Sequence, residues 1–339
     1  MALGLFILYS ASEQSLATVY SQSSKLLMGI GLMLILYRMP MRYLKDYVEI
    51  IYLFSVFMLI VVFMVGSTGK GATRWLNLGI LKFQPSELIK ITIPLILAKW
   101  LADTTKPNRF IYAIMFSLIP MALIIKQPDL GTALMITFIA GAMIFAAEIA
   151  WIYVIGLATF ITTALPFIWI YGLHGYQKSR ILNFLNPSLD PQGSGYNIIQ
   201  SKIAVGSGGF WGQGWLKGTQ IHFKFLPEHA TDFIFGVIAQ EFGWLGCMLL
   251  LSILSMMITQ IISFCLSTKD LFAKLLCFGL AVHFLLSAII NIGMVIGVFP
   301  VVGIPLSLVS FAGTHCIVIL ISFGMILSCM QTERSKLIQ

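Results

Sequence analysis

Residues 225–243 read Phe-Leu-Pro-Glu-His-Ala-Thr-Asp-Phe-Ile-Phe-Gly-Val-Ile-Ala-Gln-Glu-Phe-Gly, a Pro-punctuated polar turn that runs straight into a long apolar stretch. Pro227 fixes its own φ and disfavours helix at the residue before it, so a helix is predicted to start near Thr231. Asp232 then stands at the helix N-terminus, where the dipole and the free N–H groups favour an ionised carboxylate. It also stands at the membrane surface, half out of water. A carboxylate placed there is either a helix cap or a base that takes a proton from a substrate hydroxyl. The stretch by itself leaves both readings open.

The composition around this stretch fixes the solvent. Hydrophobic residues make up 58% of the chain, charged residues 10%, and the mean hydropathy is +0.93. Soluble domains carry about 25% charged residues, so an all-α, polytopic integral membrane protein is expected. A hydrocarbon core of about 30 Å needs roughly 20 apolar residues per helix. Runs that meet or approach this length lie near 24–39, 47–66, 85–102, 110–125, 130–148, 150–173, 232–262, 272–298 and 307–330. With the stretch 2–10 as part of a first helix, the expectation is about ten transmembrane helices. That first stretch, about ten apolar residues long, is too short to span. It is expected to be a truncated helix, or the chain to begin further upstream. It has no basic leader and no small-residue cleavage site, so it does not read as a signal peptide. No internal repeat is visible, and residues 1–339 read as a single membrane domain.

Short basic loops set the orientation. Arg38, Arg42 and Lys45 lie in one, Lys99, Lys106 and Arg109 in another, Lys269 and Lys274 in a third, with Arg334 and Lys336 in the tail. Counting helices puts all of these on one side, which the positive-inside rule makes cytoplasmic. The opposite face receives the loop 67–83, the turn Lys126-Gln-Pro-Asp129, and a large loop of about 57 residues, 174–230, between helices 7 and 8. Loops this long are usually functional, and within it 196–205 reads as an amphipathic helix in the interface. The net charge of +8 is spread over both faces without a nucleic-acid motif, so nucleic acid is excluded as a partner. Positive charge outside suits an anionic substrate such as a phosphate. The five cysteines, 247, 265, 277, 316 and 329, lie in or beside apolar helices without metal-site spacing, which gives neither a disulfide nor a zinc site.

Ionisable residues inside spans are costly and functional by default. Glu87 and Lys90 are three apart on one helix and share a face, so they can pair. Upstream lie Gly71-Ala-Thr-Arg-Trp-Leu-Asn-Leu-Gly79 and Phe83-Gln-Pro-Ser-Glu87, where Arg74 is either an interfacial anchor or a bidentate phosphate ligand. Lys126-Gln-Pro-Asp-Leu-Gly-Thr132 sets Lys126 and Asp129 at a helix end, where Asp129 is a cap or a site residue. Glu241 lies about 13 Å along the helix from Asp232, as an ion-pair partner or a cavity residue. His222 and His229 read as surface residues, and His283 and His315 as bonded to neighbouring backbone. Gly206-Ser-Gly-Gly-Phe-Trp-Gly-Gln-Gly214 lacks the context of a nucleotide fingerprint and reads as a tight, backbone-exposed loop near a bulky ligand.

The order of these motifs resembles the SEDS family (shape, elongation, division and sporulation), whose members polymerise peptidoglycan. The resemblance covers nearly the whole chain and runs on through Ile199-Gln-Ser-Lys-Ile-Ala-Val-Gly-Ser-Gly-Gly209, Leu226-Pro-Glu, Thr231-Asp-Phe-Ile-Phe235 and Asn291-Ile-Gly to Phe299-Pro-Val-Val-Gly-Ile-Pro-Leu306. Gly-Thr-Gln at 218–220, Gln-Pro-Asp-Leu-Gly-Thr and Gln-Ser-Lys-Ile are similar to the rod-shape, RodA-like branch more than to the division branch. Three features depart from the family pattern: the incomplete first helix, Pro-Glu-His-Ala-Thr-Asp at 227–232, and Phe311-Ala-Gly-Thr-His315 at the C-terminal signature.

The resemblance implies a glycosyltransferase acting on lipid II in the bacterial cytoplasmic (inner) membrane, with its active face periplasmic. An α-linked donor and a β-1,4 product call for one inverting displacement, with a single base on the acceptor 4-hydroxyl; Asp232 is the candidate. The leaving pyrophosphate needs positive charge, from Arg74, Lys126 or Lys202, with a magnesium or manganese ion expected beside it. Gln84, Glu87, Lys90, Asp129 and Glu241 are expected to shape the substrate cavity. The implied partners are a class B penicillin-binding protein as transpeptidase, other membrane proteins of the elongation complex, and membrane lipids. Two rival readings stand beside this one: a lipid II flippase, and an inert scaffold of the wall-synthesis complex.

Overall fold

The computed structural model describes residues 1–69, 72–77, 82–172, 175–186, 194–219 and 228–338. Helices follow the apolar runs: α1 (Ala2–Ala11), α2 (Leu16–Arg38), α3 (Met41–Asp46), α4 (Val48–Val65), α5 (Pro85–Ala102), α6 (Arg109–Lys126) and α7 (Leu130–Ala146) come first. Then come α8 (Trp151–Phe167), continued by a π-turn at Ile168–Gly172, α9 (Gly175–Leu185), α10 (Ser194–Ser207), α11 (Ile234–Ser267), α12 (Leu271–Ile296) and α13 (Gly313–Ile338). Six of the described helices are long and apolar enough to cross a bilayer: Leu16–Arg38, Val48–Val65, Arg109–Lys126, Ile234–Ser267, Leu271–Ile296 and Gly313–Ser335. The chain is an all-α, polytopic integral membrane protein. Helices α5, α7 and α8 occupy three more of the expected runs, α5 carrying Glu87, Lys90 and Lys99 within its length.

The described parts of the loop 67–83 carry short strands. β1 (Ser67–Gly69), β2 (Ala72–Asn77) and β3 (Lys82–Phe83) form a small antiparallel meander, with Thr68 opposite Thr73 and Leu76 opposite Phe83. β-branched and aromatic residues at these positions suit a pleated surface, and the sheet leads into α5 through Pro85, a residue preorganised for the first helical turn. The long segment 174–230 contains α9 and α10, so the expected amphipathic helix at 196–205 is found as Ser194–Ser207.

The chain packs as two compact units. One comprises Met1–Val19, Glu148–Ile253 and Ala288–Phe311, the other Tyr20–Ala147, Leu254–Ser287 and Ala312–Gln339. In the second unit α5 is central, with Ile89, Ile93, Ile96, Leu97 and Leu101 wholly buried. Between helices in lipid there is no hydrophobic drive, so close backbone approach matters. Gly279 of α12 supplies it: a Cβ there would stand 3.0 Å from Cβ of Pro94 on α5 and would collide with Met143 on α7. On the basic side, Lys99 pairs with Glu49 at 2.6 Å, and Lys106 lies 4.1 Å over the Trp100 ring. In that loop the Thr105 hydroxyl, then the Lys106 ammonium, hold the exposed Asp103 carboxyl below the usual carboxylate range.

In the first unit the decisive element is α11. Its 34 residues would extend about 51 Å at 1.5 Å per residue, well beyond a hydrocarbon core of about 30 Å. The helix is broken at Gly243, which takes φ 62° and ψ −157°, a region open essentially to glycine alone. Residues 233–241 are all buried, whereas exposed side chains recur from Trp244 onward. The expected single span 232–262 is therefore two pieces: a buried segment before Gly243 and a longer stretch with exposed apolar side chains after it. The glycine-rich stretch 206–214 explains the break. Gln213 and Gly214 donate their N–H groups to the carbonyls of Gln240 and Glu241 at 2.9 and 3.0 Å, and Trp244 and Leu245 donate to Gly209 and Phe210 at 2.9 and 3.3 Å. Gly208 and Gly212 have no room for a Cβ, which would strike the carbonyls of Ala239 and Glu241. These glycines seat backbone on backbone, so the loop is tight, as expected, with Gly208 and Gly212 turned to α11.

Candidate active site

Asp232 lies in a turn rather than in the first turn of a helix. The N–H groups of Thr231, Asp232 and Phe233 all point to the carbonyl of Glu228, at 3.0, 3.1 and 3.3 Å, and α11 begins only at Ile234. The predicted helix start near Thr231 is thus three residues early. Glu228 itself has φ 56° and closes the turn tightly. Asp232 is half-buried, whereas Phe233 and Ile234 behind it are buried.

The loop between α12 and α13 wraps this turn. The N–H of Phe311 donates to the carbonyl of Ala230 at 2.9 Å. Asn291 of α12, wholly buried, donates through Nδ2 to the carbonyls of Asp232 and Ile304, each at 2.8 Å. Gly303 takes φ +76°, and a Cβ there would stand 3.4 Å from Oδ2 of Asp232. At the other end of the same loop Gly297, φ +77°, lies under the end of the Lys202 side chain, and a Cβ there would be 2.7 Å from Nζ. One loop with two left-handed glycines therefore meets a carboxylate at one end and an ammonium at the other. Glu241, almost wholly buried, accepts a hydrogen bond from the Ser10 hydroxyl of α1. Helix α1 is itself held by Phe6 stacked on Trp215 at 4.5 Å between ring centres.

The other predicted residues gather in the second unit as two clusters. Arg74 of β2 grips the α6–α7 turn: Nε donates to the carbonyl of Gln127 at 3.2 Å, Nη2 to that of Pro128, and Nη1 lies 3.8 Å from Oδ1 of Asp129. Asp129 caps α7, accepting from the Thr132 N–H at 3.3 Å and hydroxyl at 3.0 Å, and Gln84 Nε2 reaches its Oδ2 at 3.4 Å. Arg74 is thereby placed as a brace of the turn, while Lys126 beside it is exposed. In the second cluster Lys90 pairs with Glu87 at 2.5 Å, and His315 of α13 meets the other oxygen of Glu87 at 2.9 Å. His315 was expected to bond to backbone, and its contact with the Glu87 side chain was not foreseen. His283 stands perpendicular to His315, 6.1 Å between ring centres, with neither ring nitrogen hydrogen-bonded among the described residues. The altered C-terminal signature finds its place here too, because the Thr314 hydroxyl donates to the carbonyl of Lys82 in β3 at 3.0 Å.

The sequence reading named Asn291 only within a motif and His315 only as a backbone-bonded residue, and gave neither a place in the site. The signal for each was a polar side chain within an otherwise apolar run. His222, Lys224 and Pro227 lie outside the described residues. Among the described residues no three His, Cys, Asp or Glu side chains converge to hold a metal ion.

Comparison with known proteins agrees along the whole chain. The FtsW/RodA/SpoVE family model, described as "Cell cycle protein", matches residues 1–335. "Peptidoglycan glycosyltransferase MrdB" of Escherichia coli (strain K12) is 38% identical over 335 residues, covering 98% of this chain and 90% of its own. "Peptidoglycan glycosyltransferase RodA" of Treponema pallidum (strain Nichols) is 32% identical over 406 residues, covering 96% and 94%. A chain from the solved structure "Structural coordination of polymerization and crosslinking by a peptidoglycan synthase complex" superposes with a TM-score of 0.85 at 30% identity, over 98% of this chain and 94% of that one. The crystal structure of Thermus thermophilus rod shape determining protein RodA gives 0.73 at 27% identity, over 97% and 92%. With a full-length family match, relatives above 30% identity and the same architecture, this chain belongs to the FtsW/RodA/SpoVE family.

Proposed function

We propose that this protein is a peptidoglycan glycosyltransferase that polymerises lipid II into glycan strands during cell elongation and rod-shape maintenance. Its relatives MrdB and RodA carry the name peptidoglycan glycosyltransferase over nearly the same length of chain. The observation that carries the mechanism is the half-buried Asp232, held in a turn by Asn291 and faced by Gly303. The acceptor 4-hydroxyl attacks the anomeric carbon of the donor from the face opposite the pyrophosphate. As the new C–O bond forms, the bond to the pyrophosphate oxygen breaks and the hydroxyl proton passes to Asp232. Undecaprenyl pyrophosphate leaves with both electrons of the broken bond. Lys202, seated over Gly297, supplies positive charge toward a pyrophosphate, and Lys126 is a second cation assigned to that role. A magnesium or manganese ion belongs to the proposal as a companion of the pyrophosphate, with no protein cage, and no step above depends on it.

The orientation follows the basic loops, with Asp232 on the periplasmic face of the cytoplasmic membrane. A class B penicillin-binding protein is the proposed transpeptidase partner, alongside other membrane proteins of the elongation complex. The related solved structure is of a peptidoglycan synthase complex that coordinates polymerization and crosslinking. The flippase reading draws on the broken α11, since transporters place broken helices at substrate and ion sites. Here the carbonyls of Gln240 and Glu241 at the break already accept from Gln213 and Gly214, which leaves the polymerase reading ahead. The deciding experiment incubates purified protein with lipid II, with and without the penicillin-binding partner, and resolves the products. Glycan chains support the proposal. Lipid II movement across vesicles without any polymer, or inactivity in both arms, overturns it in favour of the flippase or the scaffold.

A further inference from the structure

Asn291 is the only bridge of its kind near the proposed base among the described contacts: one amide nitrogen tied to the backbone of the Asp232 turn and to the backbone of the loop that faces it. Both bonds are 2.8 Å and come from the same Nδ2, which fixes the amide orientation. Its Oδ1 is consequently left buried with no hydrogen-bond partner among the described residues. A buried unsatisfied acceptor costs about 1–3 kcal/mol, a poor arrangement for a residue whose work is stability alone. An apolar side chain of similar size would remove that penalty but would strip the donor from the carbonyls of Asp232 and Ile304. The arrangement makes sense where the geometry of the turn matters more than the stability of the fold.

We infer that Asn291 is a positioning residue for the transfer step, fixing the separation between the Asp232 turn and the Gly303–Ile304 backbone so that the carboxylate meets the acceptor hydroxyl in line. It touches no reacting atom and acts through Asp232. The inference rests on the proposed role of Asp232 as base. Three neighbouring features support it. Phe311 ties the end of the loop to Ala230, two residues before Asp232, at 2.9 Å. Gly303 sits within van der Waals reach of the carboxylate in a left-handed conformation. Leu306 N–H donates to the Ser310 hydroxyl at 2.8 Å, so the loop is internally braced and cannot follow a displaced turn freely. Without the clamp the turn and loop separate, and a misplacement of about 1 Å is worth roughly 10²-fold in rate.

The test compares Asn291→Leu, Asp232→Asn and the unaltered protein in lipid II polymerisation, with kcat and KM resolved and thermal unfolding followed in the same detergent. The expected result, read at a temperature where every variant is folded, is a fall of about 10²-fold in kcat for Asn291→Leu, with KM for lipid II close to that of the unaltered protein. Asn291→Ser, which keeps one donor, should fall between the two, and it carries the comparison if the Leu variant does not accumulate. A purely structural role predicts loss of activity only at temperatures where the variant unfolds, and that pattern overturns the inference, as does an unchanged kcat. Should Asp232→Asn polymerise normally, the base assignment falls first. Should Asp232→Asn be inactive while Asn291→Leu works normally, only the clamp falls.

Discussion

His315 Nδ1 lies 2.9 Å from one oxygen of Glu87, whose other oxygen meets the Lys90 ammonium at 2.5 Å. A carboxylate shared in this way between two bases, with all three side chains buried, does not respond symmetrically when one member is removed. Glu87→Gln leaves Lys90 as a buried charge without its counter-ion, which should cost about 3–5 kcal/mol. Lys90→Met should be milder because His315 still pairs with Glu87. The double change should cost less than Glu87→Gln alone, since removing a buried pair together is often nearly neutral. Unfolding midpoints in detergent decide it, and equal, additive losses would sink the shared-carboxylate account.

The broken helix makes its own prediction. Gly243→Ala places a Cβ in a conformation that costs of order 1–3 kcal/mol, and that Cβ also strikes the Phe210 carbonyl 2.7 Å away. Gly209 is the natural control, because it too has positive φ (58°) but open space around it. Gly209→Ala should therefore lose clearly less stability than Gly243→Ala. Comparable losses would mean that backbone strain alone, and not the seating of the ribbon on α11, sets the requirement.

Arg74 separates a brace from a ligand. Its guanidinium contacts two carbonyls and a carboxylate around the α6–α7 turn, a fork that lysine cannot reproduce. Arg74→Lys keeps the charge, so a role confined to phosphate binding would leave stability untouched. The expectation is a lowered unfolding midpoint with a modest change in KM for lipid II. An unchanged midpoint with a large rise in KM would return Arg74 to the phosphate.

Asp232→Asn preserves size and hydrogen-bonding reach but cannot accept a proton. General-base contributions are typically 10²–10⁴-fold, and polymerisation should fall by about that much while folding and partner binding survive. Asp129→Asn is the comparison. Asn caps a helix about as well as Asp, so a residue that caps α7 and meets Arg74 should lose far less activity. A loss at Asp129 equal to or greater than that at Asp232 moves the base assignment there.

Most helices were legible because apolar length is a one-dimensional signal. The Glu87–Lys90 contact was legible because three-residue spacing on one helix is local. The start of α11 was placed early because Pro227 marks where helix is forbidden, not where it begins, and the turn on Glu228 takes up the residues between. The meander at 67–83 was missed because its strands are two to six residues long, too short for alternation to register. The partner of the glycine ribbon lay some thirty residues downstream, and Asn291 meets a carbonyl 59 positions away. Such contacts are written in three dimensions only. A lone polar residue in an apolar run announces that a partner exists without naming it, as His315 and Asn291 both do.

The break at Gly243 also bears on how the chain enters a membrane. Insertion machinery reads continuous apolar length, and the lipid-facing part of α11 starts at the break and not at Asp232. The carbonyls of Gln240 and Glu241 before it are held by the N–H groups of Gln213 and Gly214, and lipid would offer them no other partner, so segment and ribbon belong on one side of the bilayer. The Asp232 turn and its supporting ribbon thus behave as one piece during insertion, and the long apolar part of α11 begins only after both.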